Sequence, residues 1–259
     1  MPVSLVSSLR AAALFGVLAA APAAVAQPAS PFTEQQKQAI REVVKDYLLS
    51  NPELLQEIMA ELEKRQAEQQ RVAQATALRE SRQTLLNAPH SIVAGNPQGD
   101  VTLVEFFDYN CGYCKRALAD VRALAKGDPK LRIVLKDFPV LGPDSVEASR
   151  VSVAVKNQLQ GDKLFDYHAK VMETRGRVNG ERALAVAKEM GVDMARLQKD
   201  MDGPEVRSAL QENVGLADKL GLTGTPAFIV GDEIIPGAVG HDPLKQVVAS
   251  VRKCGKATC

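Results

Sequence analysis

V-T-L-V-E-F-F-D-Y-N-C-G-Y-C-K-R-A, residues 101–117, joins a β-branched and aromatic run to two cysteines in a Cys-x-x-Cys pattern. A pattern rich in alanine and leucine, with helical period, starts at once after them. A strand that gives way to a helix at this point places Cys111 at the helix N-terminus and Cys114 one turn in. There the unpaired backbone N–H groups and the positive end of the helix dipole favour a thiolate over a thiol. The chemistry suggested is thiol–disulfide exchange, with Cys111 as the attacking sulfur and Cys114 as the resolving one.

Outward from this stretch, the helix is predicted to run to about Lys126 and to stop at Gly127-Asp128-Pro129. Residues 131–138 read as a further strand, and the crossover makes it parallel to the first. Upstream, Pro89, Gly95, Pro97 and Gly99 mark loop and turn around a short strand at 91–94, with a domain boundary near Asn87. Downstream, 145–159, 163–173, 181–190, 194–201 and 204–220 are all helical in composition or period. Strands at 227–230 and 233–235 flank Gly231-Asp232, and a last helix covers 242–252. The expected fold is α/β: a mixed sheet in a domain at 87–259, with a helical insertion at about 143–220.

The N-terminus reads as a secretory signal. Arg10 precedes an apolar segment at 11–20, and Ala24-Val25-Ala26 is a small-x-small cleavage pattern, so the mature chain is expected to start at Gln27. The apolar core falls short of the roughly 20 residues of a membrane span, although an uncleaved anchor is the competing reading. Export means an oxidising compartment, in which disulfides persist. Residues 27–86 form a helical arm. Thr33 and Gln36 make a capping box, Ile40, Val43, Val44, Tyr47 and Leu48 share one face, and Leu54, Leu55, Ile58, Met59 and Leu62 follow the break at Asn51-Pro52. Beyond Leu62 the pattern is mostly polar. Two short amphipathic helices and a polar one bury no core of their own. Their stripes are expected on copies of themselves in a dimer or trimer; the alternative is an arm folded back onto the domain.

The chain has 259 residues, a formal net charge of +1 and 24% charged residues, which gives no argument for a nucleic-acid partner. Cys111-Gly112-Tyr113-Cys114 has three readings. A zinc site would draw on Cys254 and Cys259 as further ligands. A purely structural disulfide would constrain little of the unfolded chain across so small a loop. A redox pair fits the strand–helix context, and needs no cofactor and no resident metal. Cys254 and Cys259 flank a four-residue loop with a glycine and read as an accessory structural disulfide, or else as free or intermolecular cysteines. His90, His168 and His241 lack ligand spacing and read as structural or exposed, and Lys115 and Arg116 read as solvated or as aids to the Cys111 thiolate.

The segments Phe106-Phe107-Asp108-Tyr109-Asn110-Cys111-Gly112-Tyr113-Cys114-Lys115 and Gly224-Thr225-Pro226-Ala227-Phe228 resemble the two signature stretches of the DsbA-like, thioredoxin-fold oxidoreductases of bacterial periplasms. The resemblance spans about 91–252, and residues 33–86 resemble the N-terminal oligomerisation region of the ScsC-type subgroup, which is linked to copper tolerance. It implies a thioredoxin fold and a cis peptide bond between Thr225 and Pro226, opposite the cysteines, where an extended substrate pairs with the backbone. It also implies that Glu105 relays protons beneath the disulfide; the competing reading has Glu105 facing solvent at a strand end, and Lys136, expected on the neighbouring strand, is read as a partner for a buried Glu105. Thr225 and the Gly112-Tyr113 pair are similar to those of disulfide isomerases. The function implied is a periplasmic disulfide isomerase or reductase for exported, cysteine-containing clients, kept reduced by a membrane partner of the DsbD type. A dithiol oxidase served by a membrane oxidase, and a copper-handling protein holding Cu(I) between Cys111 and Cys114, are the alternatives.

Overall fold

The structure is a computed structural model that describes residues 31–259; the expected signal segment and the cleavage site at Ala26 lie outside the described residues. Two compact units divide between Leu62 and Glu63. In the first, α1 (Glu34–Ser50) starts at the expected capping box. Thr33 Oγ1 accepts from the Gln36 N–H at 3.2 Å, and Gln36 Oε1 accepts from the Thr33 N–H at 2.9 Å. No residue of α1 is buried, and Val43, Tyr47 and Leu49 are well over half exposed. The next helix, α2 (Glu53–Asn87), begins in the same unit with Leu55, Ile58, Met59 and Leu62 exposed.

The second unit takes up α2 from Glu63 onward. Ala77, Leu78, Ser81 and Leu85 recur with helical period and are buried. The compact unit therefore begins well before the boundary expected near Asn87. The stretch reads as polar because the buried face is short and carries Ser81 between Leu78 and Leu85. After α2 come β1 (Ile92–Gly95), β2 (Val101–Phe107), α3 (Gly112–Gly127) and β3 (Leu131–Asp137). Five helices follow: α4 (Pro143–Val155), α5 (Gly161–Glu173), α6 (Gly180–Glu189), α7 (Met194–Met201) and α8 (Pro204–Lys219). The chain closes with β4 (Ala227–Val230), β5 (Glu233–Pro236) and α9 (His241–Cys254).

The sheet order is β1-β3-β2-β4-β5, with β2 and β3 parallel and the other pairs antiparallel. Period-two alternation splits its side chains between two cores. Leu103, Phe107, Ile133, Leu135, Phe228 and Val230 pack with α3 and the helical block. Val104, Phe106, Val134, Ala227 and Ile229 pack with the end of α2 and with Leu216, Ala217 and Leu220 around the end of α8. The central strands are buried on both faces, which is why β2 is a nearly continuous apolar run and why even Lys136 and Asp137 at the end of β3 are shut off from water. Among the described residues, no helix is long and apolar enough to cross a membrane.

Candidate active site

β2 ends at Phe107, and the next four residues turn the chain into α3. The Cys111 N–H donates to the Asp108 carbonyl at 3.0 Å, and Cys111 is the N-cap of α3 in an extended conformation. Asp108, fully buried, holds this turn through four hydrogen bonds. Its Oδ1 accepts from the Asn110 N–H and from Ser145 Oγ, both at 2.7 Å, and its Oδ2 accepts from the N–H groups of Val140 and Leu141 at 2.9 Å. Asn110 reaches the other way. Its side chain accepts from the Val178 N–H at 2.7 Å and donates to the Val178 carbonyl at 2.8 Å. The cysteine turn is thus fastened to the β3–α4 loop on one side and to the helical block on the other.

Cys111 and Cys114 are both free, with no disulfide between them. Cys111 keeps a small window to solvent (6% exposed), whereas Cys114 is closed off (1%). The Cys111 pKa is pulled down to about 5. The hydrogen bond from the Cys114 thiol acts first, and Thr225 and the backbone N–H groups of Cys114 and Tyr113 add to it against the opposing effect of burial. Burial, donation to Cys111 and the Glu105 charge push Cys114 far above the ordinary thiol range. Two sulfurs one helical turn apart are therefore opposed in ionisation, one a ready nucleophile and the other a proton holder.

Thr225-Pro226 is a cis peptide bond, and Cys111 Sγ lies 3.1 Å from the Thr225 carbonyl oxygen. Glu105 lies on the β2 face shared with Leu103 and Phe107, is 3% exposed, and has its pKa raised to about 8 by burial and then by the Cys111 charge. It does not face solvent. The expected pairing with Lys136 is absent. Glu105 stands opposite Leu135 in the parallel register, so Lys136, one residue on, points to the other side of the sheet. Its Nζ donates instead to Ser91 Oγ at 3.2 Å and Asn213 Oδ1 at 3.5 Å.

Cys254 and Cys259 are joined in a disulfide, which removes them from any four-sulfur metal site with Cys111 and Cys114. Lys115 is not solvated: it donates to the Thr174 carbonyl at 2.8 Å and the Gly176 carbonyl at 3.3 Å. Arg116 lies over the exposed Tyr113 ring, 4.3 Å from its centre. His168 is buried against Phe107 and Tyr109, and burial lowers its pKa to about 3, so it stays neutral. Asp108 and Asn110 are the residues that sequence reasoning passed over. The signal was there: an acid that ends an apolar strand two residues before an asparagine is the pattern of a side-chain-closed turn.

The family description "DSBA-like thioredoxin domain" matches residues 102–249, and that of the copper resistance protein ScsC N-terminal domain matches residues 36–69. A thioredoxin-like oxidoreductase from Silicibacter pomeroyi DSS-3 superposes with a TM-score of 0.63 at 43% identity, covering 67% of this chain and 98% of that one. ScsC of Proteus mirabilis, in a transitional conformation, superposes with a TM-score of 0.63 at 28% identity, covering 86% of this chain and 99% of that one. The thiol:disulfide interchange protein DsbA of Bordetella pertussis is 29% identical over 151 residues, which are 56% of this chain and 70% of that one. The Na(+)/H(+) antiporter NhaA of Herminiimonas arsenicoxydans is 28% identical over 164 residues, 62% of this chain, and the match spans only 25% of that protein's length.

Proposed function

Because the chain belongs to the DSBA-like thioredoxin-domain family, we propose that it is a periplasmic thiol–disulfide oxidoreductase that isomerises and reduces disulfides in exported proteins. The observation that supports this reading is the placing of Cys111 at the N-cap of α3 with a window to solvent and of Cys114 one turn in and closed off, which opposes the two in ionisation. The Cys111 thiolate attacks one sulfur of a client disulfide, forming a Cys111–client disulfide and releasing a client thiolate. In isomerisation a client thiolate then attacks the client sulfur of that bond, and Cys111 leaves as thiolate with no net electron transfer. In reduction, with Cys111 held in the mixed disulfide, its charge no longer raises the Glu105 pKa, and the ionised form of Glu105 takes the Cys114 proton as Cys114 attacks Cys111 Sγ. The client leaves with both sulfurs reduced, and the Cys111–Cys114 disulfide retains the oxidation for a membrane donor to remove.

Glu105 suits the proton step because its pKa, about 8, lies near neutral pH, where it gives and takes a proton with little penalty. The Thr225 carbonyl beside Pro226 is the backbone on which an extended client segment lies against Cys111. The ScsC-type match over residues 36–69 and the exposed stripes of α1 and early α2 support self-association through the arm, which presents several Cys111 thiolates to one misfolded client. A second reading, dithiol oxidase, is favoured by the same depressed Cys111 pKa, since a stabilised thiolate makes the disulfide more oxidising. Trapping thiols in intact cells separates the two: mostly oxidised Cys111–Cys114 favours the oxidase.

Refolding of scrambled ribonuclease by the chain starting at Gln27 tests the principal reading. Activity is expected to vanish in Cys111→Ser and to persist in Cys254→Ser. Full activity in Cys111→Ser rejects the assignment.

A further inference from the structure

Away from the cysteines, the second unit holds a cleft of about 1020 Å³ between β1, the end of α4 and the starts of α5 and α8, and none of its lining residues belongs to the redox site. Arg132 and Lys156 line it, each half-buried, and neither side chain has a carboxylate or hydrogen-bond partner among the described residues. Lys199 stands exposed on the rim, likewise unpaired. Ser91 also lines the cleft, and it accepts from the fully buried Lys136, which donates to Asn213 as well and is acted on by the Glu212 carboxylate. His90 lines the same cleft; burial, Lys136 and Lys156 lower its pKa against the opposing effects of Glu212 and Asn213.

Of the carboxylates nearby, Asp200 accepts from Asn157 at 3.1 Å and sits 3.7 Å from Arg196. Glu212 stands outside the cleft 3.2 Å from His90 Nε2, and Glu205 lines the cleft at the exposed start of α8, paired with neither Arg132 nor Lys156. A half-buried cation without a counter-charge is costly, and an entering anion offsets that cost. Val93, Val153 and Leu164 form an apolar wall beside the cations. The volume is at the upper end of small-molecule sites, roughly 300–1,000 Å³.

We propose that this cleft binds a small organic oxyanion carrying two or more negative charges, with Arg132 and Lys156 as its principal contacts and the apolar wall against its carbon skeleton. The site stands independently of the redox chemistry. Phosphate esters and polycarboxylates share the required chemistry, and two probes distinguish them. Calorimetric titration of the full chain from Gln27 with inorganic pyrophosphate, and separately with citrate, is expected to give one saturable site per chain for at least one probe. Binding is expected to weaken tenfold or more in Lys156→Met and in Arg132→Met, with the alkylation rate of Cys111 unchanged. Lys199→Met, at the exposed rim, is expected to weaken binding severalfold and supplies the comparison if a half-buried variant does not fold. Binding of pyrophosphate alone assigns phosphate esters, and binding of citrate alone assigns polycarboxylates. No saturable heat with either probe, or binding that the folded variants leave unchanged, overturns the proposal.

Discussion

At Cys111 the largest stabilisation of the thiolate comes from the Cys114 thiol, ahead of Thr225 and the helix amides. Cys114→Ala is therefore expected to raise the Cys111 pKa from about 5 toward the ordinary thiol range. Iodoacetamide alkylation followed against pH reads this directly; an unchanged midpoint would assign the effect to the helix terminus instead. Glu105 makes a second prediction at this scale. In the folded chain it keeps its proton to about pH 8, whereas its ordinary value is 4.5. Between those values the folded state binds more protons than the unfolded one, so stability is greatest below the lower value and declines as pH rises toward the upper. Asp137, raised to about 7 mainly by burial, adds a decline of the same sign from 3.8 upward. Glu105→Gln removes the first of these slopes, so in urea unfolding at slightly alkaline pH the variant should exceed the native chain by about 2–4 kcal/mol. The same variant should resolve a mixed disulfide roughly tenfold more slowly or worse, because Cys114 loses its proton acceptor.

Among the elements, the turn between β2 and α3 and the last turns of α2 carry more of the fold than their sequences advertise. Asp108 accepts four hydrogen bonds in a fully buried place, so Asp108→Asn sets an N–H₂ group against donors. A loss of about 2–4 kcal/mol is expected in urea unfolding, with faster alkylation of Cys114 as the cysteine turn loosens. Leu85, on α2, packs in the core that covers Val104 and Phe106. Leu85→Ala should cost about 2–4 kcal/mol, while Leu62→Ala, on the exposed stripe of the same helix, should change the stability of an isolated chain by no more than about 0.5 kcal/mol. Equal costs at the two positions would contradict the division between Leu62 and Glu63.

For the molecule as a whole, that division sets the truncation to make. A chain starting at Glu63 keeps Ala77, Leu78 and Leu85 in their core and should fold and reduce a small disulfide at the native rate. It should also be a monomer by light scattering and lose isomerase activity, whereas a chain starting at Gln27 should be larger than a monomer. A cut at Asn87 removes part of the core, so loss of activity there would say nothing about the arm.

The sequence by itself determined the local features: the strand–Cys-x-x-Cys–helix junction, the helical block, the capping box and the apolar stripe of the arm. Each is written in a short window, because turn chemistry and hydrophobic period act between near neighbours. Tertiary structure alone decided the rest. Pairing opposite Leu135 separates Glu105 from Lys136, and packing over Val104 and Phe106 draws the end of α2 into the catalytic unit. The same distant packing brings Val178 to Asn110 and sets Arg132 and Lys156 in one cleft. Burial, and with it the ionisation of a carboxylate or an ammonium, depends on which remote segments shut out water, and no short window of residues contains that information.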